Sequence, residues 1–499
     1  MLSSFFEVLT SFIFDPTMLG LVVLGTMLGL VLGAIPGISS TMSLAILLPV
    51  TFTMDAAAAI LFLMSVFMSS VYGGSISAIL MRLPGTPASI FTQIDGFPMA
   101  RSGRAGHALN YALIASSIGG LIGLALLIIL APGLVSFATN FRSPEFAAVA
   151  FFGIVMLSFS SEGSTLVATV IGFVGVVLGL IGFDSLTSVQ VMTLNEPVLQ
   201  SGLHLIPVII GLFGLGEILY NISTFKGAPP KAPEIGKVML PINDLLSRWK
   251  VMIRGSVIGT LIGAIPAAGS AVAVSIAYAQ EKRLSKTPEK FGSGHPDGIV
   301  APEAANSASV GGSLIPLIAL GVPGDTITAV LMGALMVHGL TPGPLLFANN
   351  PTFVSWIYVS VLLALLATLI LGLLLIRGAV LITLIPPRLM FVFIAVFCVI
   401  GAFAIRNDIN DVYVMIAFGV VGLIFTKLNL PATPLAFGLI LGPILEENLR
   451  RSLMISRGSW TIFLERPISA VLIIVSVILV SLPVLKLVTR RIRSAGIFQ

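Results

Sequence analysis

LGAIPGISS (Leu32–Ser40) and IGAIPAAGS (Ile262–Ser270) are the stretches on which the reading of this chain turns. Each sets Gly-Ala-Ile-Pro inside a long apolar run and follows it with small residues and a hydroxyl. Proline removes a backbone donor and clashes with the preceding turn, so each phrase predicts a broken helix. A break leaves N–H and C=O groups without intrahelical partners. Inside a bilayer such groups are tolerated only where protein buries them or a wet cavity meets them. The two phrases lie 230 positions apart in a chain of 499 residues, so the device is used once in each half.

The surrounding composition puts these breaks in a membrane. The chain is 57% hydrophobic and 9% charged, with a mean hydropathy of +1.09, whereas soluble domains carry about 25% charge. Runs such as Ile114–Leu130 and Val359–Ile376 are continuously apolar, unlike the alternating strands of a membrane barrel. At roughly 20 residues per crossing, the apolar material predicts an all-α integral membrane protein. It has room for about 10–12 transmembrane helices, counting broken and re-entrant segments. The formal charge of +5 does not point to nucleic acid, because Lys and Arg gather in short loops, where they report cytoplasmic orientation. The single cysteine, Cys398, excludes an intrachain disulfide and a Cys-based metal cluster. His107, His204, His295 and His338 show no ligand spacing, so no metal site is expected. No basic region precedes the first apolar run, so no cleavable signal peptide is expected.

The chain divides into a first membrane repeat (1–224), a cytoplasmic linker (225–254), a second membrane repeat (255–485) and a basic cytoplasmic tail (486–499). Three matches in the same order carry the repeat. After the Gly-Ala-Ile-Pro phrases, YGGSISAILMRLPGT (Tyr72–Thr86) resembles VGGSLIPLIALGVPGD (Val310–Asp325), and PVIIGLFGLGEIL (Pro207–Leu219) resembles PLAFGLILGPILEENL (Pro434–Leu449). Basic loops flank Gly255–Ala279 on both sides, so that stretch reads as a re-entrant hairpin opening to the cytoplasm. The equivalent stretch Leu19–Phe52 is flanked by acids without bases and opens to the other face, as does the base-free loop Phe183–Leu203. The repeats therefore read as inverted, an arrangement that secondary transporters combine with broken helices at the bilayer midplane.

Helix starts bind anions through free N–H groups and partial positive charge. The substrate-binding candidates are Pro36, Gly37, Ser39, Ser40 and Thr41 at the first break and Pro266, Gly269 and Ser270 at the second. To these we add Gly74 and Ser75, the cluster Asn306, Ser309, Gly312 and Ser313, and the turn residues Pro323 and Gly324. Asn306, Ser309 and Ser313 share a helical face. Simple kinks would also need Gly and Pro, but two matched copies favour a functional break. Arg82, Thr86, Glu303, Asp325 and Thr326 are candidates for charge or coupling-ion chemistry. Glu303 reads either as an intramembrane acid, functional by default, or as a helix-start acid at the interface after His295-Pro296-Asp297. Arg82 reads either as a counter-charge for an acidic substrate or as a marker of the cytoplasmic edge. Glu217 and the pair Glu446–Glu447, near equivalent span ends, read as interface acids in preference to proton carriers. No phosphate-binding fingerprint or hydrolase motif is present, so neither ATP binding nor an enzyme is expected.

The phrases LGAIPGISSTMSLAILLPVTF, GTLIGAIPAAGSAVAVSIAYAQEKRLSK, LTPGPLLF and, most specifically, PEAANSASVGGSLIPLIALGVPGD resemble the TctA family, the large membrane subunit of tripartite tricarboxylate transporters. The likeness runs from about Gly20 to Arg457. It implies a permease in a bacterial inner membrane that imports citrate or other small carboxylates. It also implies a small four-helix membrane subunit, a periplasmic solute-binding protein, a sodium or proton gradient as the energy source, and no further cofactor. Alternating access by an elevator-like movement is an expectation by analogy. A stand-alone carboxylate symporter is the main alternative. An intramembrane enzyme acting on lipid-linked substrates lacks its motifs, and a passive scaffold has no need of duplicated breaks.

Overall fold

The computed structural model describes residues 2–160, 164–184, 186–187, 189–224, 235–266, 268–344, 346, 350–379 and 387–494. Among these, regular structure is helical apart from one antiparallel pair of two-residue strands, Gly182–Phe183 and Gln190–Val191. The first half runs α1 (Leu2–Phe14), α2 (Pro16–Ala34), α3 (Ser40–Leu47), α4 (Ala56–Met81), α5 (Ser89–Met99), α6 (Ala105–Ala138), α7 (Ser143–Ser160) and α8 (Thr165–Gly179). It ends with α9 (Leu205–Thr224), which contains a π turn at Ile210–Leu215. The second half runs α10 (Trp249–Gly263), α11 (Gly269–Leu284), α12 (Asp297–Leu320), α13 (Thr326–Val337), α14 (Pro351–Leu375), α15 (Pro387–Ala404), α16 (Ile409–Lys427), α17 (Thr433–Ile455) and α18 (Pro467–Ser494). The chain is an all-α membrane protein. By length and apolarity alone, six helical stretches among the described residues suffice to cross a bilayer. The rest of the expected ten to twelve are shorter apolar helices, half-helices at the breaks, and helices such as α12 that carry polar groups.

Backbone contact between glycine-striped helices sets the frame. A Cβ on Gly25 of α2 would lie 2.8 Å from the Phe62 carbonyl oxygen, and one on Gly33 would lie 2.9 Å from Ser70 Cα. In the second half, a Cβ on Gly255 of α10 would lie 2.6 Å from the Ala301 oxygen, and one on Gly263 would lie 3.0 Å from Ser309 Cα. Only glycine permits this approach, as at small-residue interfaces elsewhere in membranes. The α2–α4 contact thus recurs as α10–α12, with α2 positions advanced by 230 and α4 positions by 239. The left-handed caps follow the same rule: Arg82 (φ 58°) ends α4 and Gly321 (φ 70°) ends α12.

The packing corrects one register read from the sequence. Matching the Gly-Gly-Ser triplets pairs Gly73 with Gly311. In the fold, Gly73 sits against Leu30 and Ala34 of α2, and it is Gly312 that sits against Thr260 and Ala264 of α10. The equivalence is therefore Gly73 with Gly312 and Gly74 with Ser313. A one-residue slip turns a helix by about 100°, so motif identity and packing equivalence differ by a whole face.

Arg254 near the start of α10 forms a bidentate ion pair with Glu281 near the end of α11, at 2.6–3.0 Å. Were these residues on one straight helix, about 40 Å would separate them. The break therefore folds α10 and α11 back into a hairpin, tied at its base.

The two halves interlock. Gly211 and Gly216 of α9 pack on Phe418 and Gly422 of α16, while Gly442 of α17 packs on Val176 of α8. The extended segment before α10 lies along α6: the Gly106 amide donates to the Ile235 carbonyl (2.6 Å) and Asn110 Nδ2 to the Val238 carbonyl (2.7 Å). Helix α10 begins at Trp249, inside the stretch read as linker. Residues 225–234 of that linker and 495–499 of the tail lie outside the described residues. The loop Phe183–Leu203, base-free by itself, is met by Arg450 of α17, which pairs with both Asp184 and Glu446. Arg450 and the amides of Thr187 and Leu186 hold the Asp184 carboxyl well below the usual carboxylate range.

Replacing Gly263 by valine should cost about 1–3 kcal/mol through overpacking and lower the melting temperature of the detergent-solubilised protein. Gly20→Ala, where a Cβ meets nothing within 4 Å, should leave it unchanged. Equal melting temperatures for both variants would remove the glycine contact from the account of the fold.

Candidate functional site

Both breaks and both Pro-Gly turns meet at one cavity of about 330 Å³. At the first break, α2 ends at Ala34 and Pro36 interrupts the helix. Gly37 then takes a left-handed conformation (φ 83°), and Ser39 caps α3 by accepting from the Met42 amide at 3.2 Å. At the second, α10 ends at Gly263, Pro266 follows, and Gly269 (φ 70°) opens α11. A Cβ on Gly269 would meet nothing within 4 Å, consistent with its place on the cavity wall. Ser39, Ser40 and Thr41 line the cavity from the first break; Gly269, Ser270 and Ala271 line it from the second. These triplets are 230 apart. Thr86 and Pro87 line it from the turn after α4, and Asp325 and Thr326 from the turn after α12, 239 apart.

Four helices, α3, α5, α11 and α13, therefore start at or beside this space. Among the described residues no side chain caps α11, so its first N–H groups keep their partial positive charge; at α5 the Ser89 amide is already met by Thr86 Oγ1 at 3.3 Å and by the Thr86 carbonyl at 3.1 Å. Helix α13 is instead closed by a capping box: Asp325 Oδ1 accepts from the Thr328 amide at 2.8 Å, and Thr328 Oγ1 accepts from the Asp325 amide at 2.9 Å. Thr41 and Thr326 join the copies through their hydroxyls at 3.0 Å. Two buried groups of lining residues, Ser40 Oγ and Asn306 Nδ2, lack a hydrogen-bond partner among the described residues. A buried donor left unmet costs about 1–3 kcal/mol, so the Asn306 amide gains from a partner brought to the cavity wall. Among the described lining residues Asp325 is the sole ionisable side chain. Helix starts, hydroxyls and an amide donor form a setting suited to a small anion with several oxygens.

Other candidates lie elsewhere. Ser309 Oγ donates to the Asn306 carbonyl (2.6 Å) and Ser313 Oγ to the Val310 carbonyl (3.1 Å), both within α12, and Ser313 also lies beside the Asp325 carboxyl at the cavity. Gly312 packs on α10, and Gly324 packs on Ser313. Pro36, Gly37, Pro266 and Pro323 shape the breaks and turns and are not among the lining residues. Gly74 supports the turn, with its carbonyl accepting from the Gly85 amide at 3.3 Å. Arg82 is exposed, 5.7 Å above the Phe97 ring and outside the cavity, so it is not a counter-charge there. Glu303 is fully buried in the second turn of α12. The helix-start acid is Asp297, so the interface reading of Glu303 does not hold. Its carboxylate accepts from Ser75 Oγ (2.6 Å), Ser116 Oγ (2.8 Å) and Thr92 Oγ1.

Sequence reading missed the support of the first break. Glu217 of α9, read as an interface acid, accepts from Ser39 Oγ at 3.3 Å. One turn on, Asn221 Nδ2 donates to the Gly37 carbonyl at 3.0 Å. The i, i+4 spacing of these polar residues in an apolar helix was the available signal. Pro431 and Thr433, at the start of α17, also line the cavity.

Comparison with known proteins identifies the family. A model of the tripartite tricarboxylate transporter TctA family matches residues 19–437. The chain belongs to the TctA family. The TctA match contains both breaks, both Pro-Gly turns and every lining residue from Ser39 to Thr433. Two relatives come from Agrobacterium vitis. An "uncharacterized 52.8 kDa protein in TAR-I ttuC' 3'region" is 37% identical over 451 residues, covering 90% of each chain. An "uncharacterized protein in TAR-II ttuC' 3'region" is 40% identical over 228 residues, covering 45% of this chain and 94% of its own. No solved structure matches. Membership makes this a multi-pass membrane protein of a transporter family whose systems have three parts.

Removing either support should loosen the first break selectively. Glu217→Ala or Asn221→Ala is expected to cost about 1 kcal/mol and to speed amide exchange over Ile35–Ser39 without changing Ile262–Ser270. Unchanged exchange at the first break in both variants would show that α9 does not hold it.

Proposed function

We propose that this chain is the permease subunit of a binding-protein-dependent secondary transporter in a bacterial inner membrane, and not an enzyme. It imports tricarboxylates or related small carboxylates by alternating access, driven by a sodium or proton gradient. A small four-helix membrane subunit and a periplasmic solute-binding protein complete the system. One observation carries the reading. Four helix starts, one of them without a side-chain cap, surround a cavity whose wall includes Asn306 and Ser40, each with a buried side-chain group that has no partner among the described residues. A carboxylate satisfies N–H and O–H donors at once. The volume of about 330 Å³ is at the small end for ligand sites, fitting a compact solute. The recurrence of the breaks and turns at equivalent positions of the two halves supports two alternating exposures of one site.

The test is uptake of labelled citrate into proteoliposomes, with smaller di- and monocarboxylates as comparators, under an imposed sodium or pH gradient. The chain is used with and without its small subunit and binding protein. Uptake should need the gradient and the binding protein. Asn306→Ala and Ser270→Ala should each lower it about tenfold or more, the worth of a hydrogen bond to a charged group. Gradient-driven uptake by the chain alone would favour the stand-alone symporter. No uptake of any carboxylate by folded protein would remove the substrate class.

A further inference from the structure

The carboxyl of Glu303 lies outside the cavity and one helical turn from Asn306, which lines it. Its partners come from three helices: Ser75 of α4, Thr92 of α5 and Ser116 of α6. Each is a hydroxyl, and no ion pair among the described residues includes Glu303. A buried carboxylate without a cation is costly, and hydroxyls alone offset only part of that cost. Hydroxyls can also turn to accept, so this cage serves a carboxylic acid as well as a carboxylate.

The packing frame does not require the cage. Applying the offset of 239 in reverse, Glu303 corresponds to Met64; applied forward, Ser75 and Thr92 correspond to Leu314 and Leu331. Those three residues belong to the apolar core. One copy fills the place with hydrocarbon; the other installs an acid and its hydroxyls.

We propose that Glu303 takes up and releases the coupling proton. This rests on the transport reading above and selects the proton over sodium. The carboxylate gains one proton on an Oε atom from the side of higher proton activity. A neighbouring hydroxyl rotates to accept from the new O–H, and the proton leaves by the reverse step when the opposite side is accessible. Hydroxyl and carboxylate oxygens also suit a hard cation, so the experiment sets the proton directly against sodium. The link to substrate is mechanical. Asn306 follows Glu303 on α12, Thr92 lies in the first turns of α5, which starts beside the cavity, and Ser75 adjoins Gly74, against which Thr86 packs.

Of the titratable groups on the helices around it, Tyr72 of α4 interacts with Glu303, while its hydroxyl donates to the Leu109 carbonyl at 3.4 Å. Asp95 of α5 is held by Tyr278 of α11 and by the amides of Gly292, Gly294 and His295. Arg254 of α10 is occupied by Glu281 of α11, and Asp325 caps α13 at the cavity. From α6 the contact is the Ser116 hydroxyl.

The experiment joins infrared spectroscopy of the full chain in lipid with uptake by the reconstituted three-part system. Wild-type protein should show the C=O stretch of a buried protonated carboxyl, titrating with pH and absent from Glu303→Gln. Under a pH gradient without sodium, wild type should accumulate labelled citrate, about tenfold per coupled proton for each unit of gradient at matched membrane potential. Glu303→Gln should still exchange labelled for unlabelled citrate but should not accumulate it. Ser116→Ala, which keeps the carboxyl and removes one donor, should move the stretch in frequency and in titration; it also serves if the glutamine variant does not fold. Accumulation by Glu303→Gln equal to wild type, wild-type accumulation driven by sodium alone, or the absence of a band assignable to Glu303 would each overturn the proposal. If wild type moves no carboxylate at all, the transport reading fails, and the presence or absence of the titrating band still decides whether Glu303 takes the proton.

Discussion

Backbone amides freed by a broken helix inside a bilayer have to be met by something other than lipid. Much of this fold follows from that constraint. The breaks at Pro36 and Pro266 are not left to the hydrocarbon. The first is held by Glu217 and Asn221 of α9, and both open onto one shared space. The glycine contacts of α2 with α4 and of α10 with α12 bring the broken segments close enough for their loops to meet. The turn at Gly85 illustrates the economy: a Cβ there would lie 2.7 Å from the Gly33 carbonyl oxygen and 2.7 Å from Gly74 Cα. A larger residue at any of the three would part the first break from its neighbouring turn.

The recurrence of contacts gives the cavity its form, and the differences between copies give it its chemistry. Equivalent positions supply backbone starts and small hydroxyl residues from both sides. The amide and the acid on the cavity wall, Asn306 and Asp325, come from the second half; their counterparts in the first are Phe67 and Thr86. Phe67 is itself buried in the core. The two halves thus share a frame while only one carries the more polar wall.

The breaks, the Pro-Gly turns and the likeness to the TctA family were legible in the sequence because each depends on local residue chemistry. Proline and glycine state their backbone preferences wherever they occur. The positions that misled depend on which face of a helix meets which neighbour. Ser309 and Ser313 look like partners of the Asn306 side chain in a helical projection, yet their hydroxyls turn back along the helix to the backbone carbonyls of Asn306 and Val310. The Gly-Gly-Ser triplets look equivalent and sit one residue out of step. Glu217 looked peripheral because its neighbours in sequence are ordinary, and its role comes from Ser39, 178 positions earlier. Glu303 could be placed neither at the interface nor in the interior until the three hydroxyl-bearing helices around it were known.

The interlocking of the halves has a consequence for how the protein is made. Helix α8 presents its glycine face to α17, which leaves the ribosome more than 250 residues later. At synthesis rates of about 5–20 residues per second, that face waits on the order of tens of seconds for its partner. During this interval the first half is inserted but unfinished, with α8 exposed to lipid or to the insertion machinery. Assembly of this membrane protein is therefore paced by translation, and its most vulnerable moment falls between the delivery of α8 and the arrival of α17.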